Sequence, residues 1–208
     1  MHTNKKPLSI KVIYWVTNIT FWIYVVASVI LLFIVAALMF NIFGDLQLHV
    51  GVPVAINVLE HGILEVNDNT INLKFVEMYG KVHFIDSPAF VGRVYGVFVL
   101  AIVSLFFYIF LIFKKFINSV YDGMYFNMKN ISLLKRISYA LVGVWAFTAF
   151  YATFQYFFLV KNLEFTTIET TGNVQTYPVI LLVALFIWVL SHIFVKGCEL
   201  QEENQYTI

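Results

Sequence analysis

Val12-Ile-Tyr-Trp-Val-Thr-Asn-Ile-Thr-Phe-Trp-Ile-Tyr-Val-Val-Ala-Ser-Val-Ile-Leu-Leu-Phe-Ile-Val-Ala-Ala-Leu-Met-Phe-Asn-Ile-Phe-Gly44 contains no Asp, Glu, Lys or Arg. Three further stretches are equally free of charge: Val94 to Phe113, Ile137 to Val160 and Thr170 to Val195. A hydrocarbon core of about 30 Å is crossed by about 20 apolar residues in a helix. A helix of a soluble protein seldom stays uncharged that long, because one face meets water. The reading is a multi-pass membrane protein with four spans, at 12–44, 94–113, 137–160 and 177–195.

Composition agrees. Of 208 residues, 61% are hydrophobic and 12% charged, against about 25% charged in a soluble domain. Mean hydropathy is +0.83. Too little chain remains outside the spans for a separate soluble enzyme domain. The net charge of +1 gives no reason to expect direct nucleic-acid binding. One cysteine, Cys198, cannot make an internal disulfide. The apolar run after Lys5, Lys6 and Lys11 is too long for a cleaved leader and lacks a small-residue cleavage site, so an uncleaved anchor is expected.

Charge sets the expected direction. The tail 1–11 carries Lys5, Lys6 and Lys11, and the segment 114–136 carries Lys114, Lys115, Lys129, Lys135 and Arg136 against Asp122 alone. The loops 45–93 and 161–176 are richer in acid than base. The positive-inside rule then puts both termini and the middle segment in the cytoplasm. Tyr14, Trp15 and Trp22, and Tyr156, Phe157 and Phe158, sit where an interfacial aromatic belt would.

The loop 45–93 reads as β. Val50, Val52, Val54, Ile56 and Val58 alternate with other residues, the pattern of a half-buried strand. Pro53 has no N–H to donate, which suggests an edge strand. Ile63 to Val66 and Ile71 to Met78 flank Asn67-Asp68-Asn69 as a hairpin. Tyr79-Gly80 then reads as a turn into Val82 to Ile85. A sheet of three or four strands is expected, with Phe165 to Ile168 and Val174 to Tyr177 as added strands. The fold class is therefore an all-α membrane four-helix bundle, N-in and C-in, with a small extracytoplasmic β-sheet.

Between spans two and three, Phe116, Ile117, Val120 and Tyr121 have helical spacing, and Asp122-Gly123 breaks it. Asn127 is an expected N-cap for a helix from Met128 to Val160, which outruns the bilayer and projects a basic stub. Ala140, Gly143, Ala146, Ala149 and Ala152 mark this third helix for close packing. Gly197 is expected to end the fourth helix as a C-cap, leaving an acidic tail at 196–208. A contact of Glu202 or Glu203 with Lys129 or Lys135 is electrostatically reasonable.

Chemistry-bearing residues are sparse. No Asp, Glu, Lys or Arg lies in mid-span, which leaves little for a proton relay. Gln155 and His192 are the membrane polar candidates, and His192 also reads as an interfacial histidine. His49, His61 and His83, with Glu60, Glu65 and Asp86, match no metal-ligand spacing and read as solvated. Ser87 and Ser191 have no base–carboxylate set, and Ser191 and His192, adjacent in a helix, point apart. No enzymatic activity and no cofactor is expected.

The tail Val189-Leu-Ser-His-Ile-Phe-Val-Lys-Gly-Cys-Glu-Leu-Gln-Glu-Glu-Asn-Gln-Tyr-Thr-Ile208 resembles the closing motif of a bacterial four-span family, domain of unknown function 2975. Its carriers here are Phe194, Lys196, Gly197, Leu200, Glu202, Glu203, Thr207 and Ile208. Gly123, Phe126, Asn130, Leu134 and Arg136 are similar to the family's cytoplasmic loop. The resemblance implies a bacterial inner-membrane protein without catalytic activity, neighbour to helix-turn-helix regulators. The expected function is signalling or sequestration of a cytoplasmic transcription regulator. Its partner-binding residues would be Lys129, Lys135, Arg136, Gly197, Leu200, Glu202, Glu203, Tyr206 and Ile208. The other partners expected are the lipid bilayer and a second copy of the chain. The alternative is a small transporter, channel-like or immunity protein with a polar path along Asn41, Ser104, Gln155 or His192.

Overall fold

The computed structural model describes residues 7–40, 42, 51–66, 69–83, 89–164, 169–171 and 176–206. Its long elements are α1 (Leu8–Met39), β1 (Gly51–Val66), β2 (Asn69–His83), α2 (Ala89–Tyr121), α3 (Met128–Phe158), β3 (Glu169–Thr171) and α4 (Pro178–Tyr206). All four helices are long and apolar enough to cross a membrane. Most of their large side chains are uncovered by protein: Trp22, Ile30, Phe106, Phe150, Leu182 and Phe186 are all exposed. Such surface is stable only against lipid, so the chain is a membrane four-helix protein.

Helix packing follows chain order, α1 on α2, α2 on α3 and α3 on α4. At the α1–α2 contact, Gly96 lies so close to Met39 and Val35 that a Cβ would sit 2.8 Å from the Met39 sulfur. Tyr24 stacks on Phe107 and Phe110 and donates its hydroxyl to the Val103 carbonyl at 3.0 Å. Between α3 and α4, Ser138 donates to the Ala184 carbonyl at 2.8 Å. Intersegment bonds of this kind matter where no water competes for the donor.

The helix boundaries differ from the charge-free stretches, because charged and polar residues at the ends continue the helices. The segment after Lys114-Lys115 is the last part of α2, not a separate element. Helix α2 stops at Tyr121 in a glycine cap. Gly123 has φ +86°, its N–H donates to Val120, and the Met124 N–H donates to Ser119. That pair of bonds is a Schellman motif, and it needs a residue that tolerates the left-handed region. Asn127 caps α3 as the sequence predicted, its Oδ1 accepting from the Lys129 N–H at 2.9 Å. The 31 residues of α3 span roughly 46 Å at 1.5 Å each. It ends at Phe158, and a 3-10 turn takes over at Val160–Asn162.

Three expectations about α3 and α4 need correction. Gly197 does not end α4, which continues to Tyr206. The tail is therefore helical to that point. The Ala140–Ala152 stripe is not the close-packing face: a Cβ on Gly143 would meet nothing within 4 Å. Steps of three residues turn about 300° on a helix, so such a stripe winds around it rather than staying on one face. The buried residues of α3 are instead Asn130, Ile131, Leu134, Ile137, Ser138, Val144 and Gln155.

The β-region is a three-stranded sheet of order β2-β1-β3. Two long strands replace the four short ones expected. Tyr79-Gly80 is no turn: both residues sit inside β2, opposite Ala55 and Val54. Strand β1 is the middle strand, not an edge. Pro53 is tolerated because β3 pairs with β1 only at Ala55, Ile56 and Asn57, leaving one side of Pro53 without a described neighbour. A bulge between Asn57 and Glu60 shifts the β1–β2 register. Val54 packs with Tyr95 and Val160, and Val82, Tyr151 and Leu163 close around them. The sheet thus sits on the ends of α2 and α3. Asn67-Asp68, Phe165 to Ile168 and Val174-Gln175 lie outside the described residues. Thr176 and Tyr177 are not strand, and Pro178 opens α4, where its missing N–H costs nothing.

Candidate functional site

The two ends of the helices are built differently. At the end opposite the sheet, the short segment Asp122–Asn127 joins α2 to α3 and meets α4. The Phe126 ring lies directly over Gly197, where a Cβ would overlap it. The same ring packs on Phe194 at 5.6 Å, and Phe194 on Phe116 at 6.4 Å. One aromatic cluster thus ties α2, the segment and α4 together. Asn130 holds the segment from inside. It is 0% exposed, and its Nδ2 donates to the carbonyls of Met124 and Tyr125. Among the described residues no donor reaches its Oδ1. On α1, Tyr14 stacks on Tyr121 at 4.1 Å, and Lys114 holds its ammonium over the Phe21 ring at 4.0 Å. Such cation–π contacts fix a side chain's direction and add about 0.5–2 kcal/mol.

The surface this cluster presents is mixed. Met124, Tyr125, Phe126 and Met128 keep much of their area exposed, and Lys129 beside them is exposed as well. Of the residues singled out from sequence, Arg136 is exposed and Lys135 half-buried on α3, while Leu200, Glu202 and Glu203 are exposed on α4. Tyr206 is the last residue of α4; Thr207 and Ile208 lie outside the described residues. Among the described residues the two segments meet through the aromatic cluster, and the expected contact of Glu202 or Glu203 with Lys129 or Lys135 is not seen. Ser138 is level with Ala184, and Phe126 with Gly197. Antiparallel packing therefore sets Lys135 and Arg136 beside the middle of α4, while the acids lie past Gly197. Charge on α4 pairs locally, Lys196 with Glu199 at 2.7 Å, an exposed pair of little energetic weight.

At the sheet end, Gln155 is buried and donates from Nε2 to the hydroxyls of Tyr151 at 2.8 Å and Tyr95 at 3.3 Å. This polar trio lies under the contact of the sheet with α2 and α3. His192 is exposed near the other end, its ring edge-on to Trp188 at 4.6 Å. Ser104 is exposed and bonds back to the Leu100 carbonyl. Gln155 and His192 thus sit at opposite ends of the helices, with Ser104 on a third, and they do not converge. Asn41, His49, Asp86 and Ser87 lie outside the described residues. His61 and Glu65 are exposed on the β1–β2 ribbon. Among the described residues no group of three His, Cys, Asp or Glu side chains could hold a metal.

Sequence reasoning passed over Phe126 and Asn130 as structural determinants, although both stood in the family-like pattern. Tyr151 was discoverable, since it precedes Gln155 by one helical turn. Tyr95, on another helix, carried no local signal.

A sequence model of the family described as protein of unknown function (DUF2975) matches residues 74–208. The match takes in β2 from Lys74 onward, the last three helices and every residue of the aromatic cluster. No curated protein and no solved structure matches.

Proposed function

This chain belongs to the DUF2975 family, and we propose that it is a non-enzymatic membrane protein that binds and sequesters a cytoplasmic regulator. The surface around Phe126 and α4 past Gly197 is where that partner docks. The observation that carries the proposal is the joint itself. Phe126 on the α2–α3 connection packs on Phe194 and Gly197 of α4, and this packing presents Met124, Tyr125, Met128 and Leu200 at one end of the molecule. Large apolar side chains left in water mark interaction surfaces. Lys129 on one side and Glu202 and Glu203 on the other give the surface charges of both signs for orientation.

The direction proposed is N-in and C-in in the bacterial inner membrane, from the basic excess at 114–136. Reporter fusions after Lys115 and after Glu203 then read cytoplasm, and one after Asn69 reads outside. The partner class proposed is a helix-turn-helix transcription regulator. The test is co-purification of such a regulator, encoded beside the gene, with wild type and with a chain lacking 199–208. Recovery with wild type and loss with the deletion supports the proposal; equal recovery removes it.

A further inference from the structure

At the end opposite the sheet, each of the last three helices meets a cation where its uncharged span stops. Lys114 follows 94–113 on α2, Arg136 precedes Ile137 on α3, and Lys196 follows Val195 on α4. An uncharged run of about 20 residues crosses the hydrocarbon, so these cations lie at its edge, the level of lipid phosphates. On α4 the cation has its own counter-ion, since Lys196 pairs with Glu199 at 2.7 Å. On α2 it has none: among the described residues no carboxylate pairs with Lys114 or with Lys115 beside it. Asp122, the one acid of the segment 114–136, lies past the end of α2, about 12 Å further along at 1.5 Å per residue.

Lys114 is also placed unlike a lysine that reaches for water. Lysines at the end of a span usually extend outward and leave only the stem in the apolar layer. Tyr14 stacks on Tyr121 and Tyr24 on Phe110, so antiparallel α1 and α2 bring Lys114 level with Phe21. The ammonium stays at that level, 4.0 Å from the Phe21 ring centre and 5.2 Å from that of Trp22. Phe21 is buried, whereas Trp22 is exposed on the outside of the helices, where lipid lies. The two ring faces orient the ammonium but carry no net charge. Its charge is therefore unanswered at the hydrocarbon edge, where that is costly. Trp22 adds an indole N–H, the polar handle that seats tryptophan at headgroup level. Trp22, Val26 and Val29 then follow at i, i+4 and i+7 on one exposed face of α1, a track for an acyl chain beneath the charge.

We propose that this α1–α2 groove binds the phosphate of an anionic phospholipid, with Lys114 as its counter-ion. A phosphate oxygen is a charged acceptor, which matches an ammonium and an indole N–H together. A zwitterionic lipid also brings a phosphate, but its own ammonium enters a region that already holds two lysines without a carboxylate. A lipid of net negative charge meets no such repulsion. The binding does not rest on the cytoplasmic partner proposed above.

The test uses full-length protein, delipidated in detergent. It is titrated with dioleoyl-phosphatidylglycerol, with dioleoyl-phosphatidylcholine and with inorganic phosphate, and adducts are counted by native mass spectrometry. Wild type should retain the phosphatidylglycerol several-fold more than the phosphatidylcholine. Lys114→Met keeps an apolar stem on the two rings and removes the charge. It should lower phosphatidylglycerol binding about fivefold, which corresponds to about 1 kcal/mol for one basic group at an anionic surface. Lys114→Arg should keep the binding. Lys115→Gln removes the same charge one residue on and should lower binding less than twofold. Equal binding of the two lipids by wild type overturns the proposal without any variant. Equal losses from Lys115→Gln and Lys114→Met also overturn it, since they mark a general attraction to a basic end. Displacement of the lipid from wild type by millimolar inorganic phosphate assigns the groove to free phosphate and overturns the lipid.

Discussion

Gly197 sits beneath the ring of Phe126, so close that the methyl of an alanine would occupy the ring's own space. The contact joins α4 to the α2–α3 connection, and the absence of a side chain at 197 makes it possible. The helix tolerates this glycine at a cost of about 1 kcal/mol relative to alanine.

Gly197→Ala should therefore destabilise the protein even though alanine favours the helix. Overpacking of this kind costs about 1–3 kcal/mol. Phe126→Ala alone should also destabilise, by opening the cluster around Phe194. Combined, the two should cost less than their sum, because each relieves the other's clash or void. Thermal unfolding of the four variants in lipid nanodiscs measures this cycle, and strict additivity would refute the contact.

Asn130→Leu should loosen the α2–α3 connection. It removes the two hydrogen bonds that the Asn130 amide donates to the Met124 and Tyr125 carbonyls, at about 0.5–1.5 kcal/mol each. Asn130→Asp should cost more, since a carboxylate cannot donate to either carbonyl and its charge would be buried. Limited proteolysis between Met124 and Phe126 checks both, with faster cleavage expected in the order wild type, Leu, Asp.

Gln155→Leu should cost more than replacing the whole trio. The single change orphans the Tyr95 and Tyr151 hydroxyls, whereas Gln155→Leu with Tyr95→Phe and Tyr151→Phe leaves no buried donor behind. Removing all partners of a buried bond is often close to neutral. Melting temperatures of the single and triple variants decide it; a triple variant less stable than the single one would contradict the geometry.

Val54→Ala should free the sheet from the helices without unfolding them. Val54 is 3% exposed against Tyr95 and Val160, and truncating a buried aliphatic side chain costs about 1–3 kcal/mol. Amide hydrogen exchange should rise across β1 and β2 while α3 keeps its protection.

Much of this architecture was legible in the residues. The four helices follow from charge-free length alone, because lipid imposes a one-dimensional rule on sequence. The turn at Gly123 and the cap at Asn127 were readable for a related reason: both are local, and their chemistry is complete within a few residues. Gly197 shows where local reading fails. A glycine near a helix end looks the same whether it stops the helix or makes room for a neighbour, and only the approach of Phe126 decides. Tyr79-Gly80 misled similarly, since long pairing with β1 overrode a turn-like dipeptide. At the candidate site the contact between the α2–α3 connection and α4 is aromatic, Phe126 on Phe194 and Gly197, rather than the ionic one expected. Net charge could not reveal that the acids of α4 lie past the reach of Lys135.

The packing of each helix on its sequence neighbour also bears on how the chain is assembled. Contacts between elements that follow one another form early, because little chain must be ordered to close them. Helix pairs can therefore dock as they enter the bilayer, each on the one before. The pairing of β3 with Ala55, Ile56 and Asn57 is of another kind, since it waits until three helices have been laid down. The three residues of β3 thus act as a clasp, fastening a late segment of the chain to an early one.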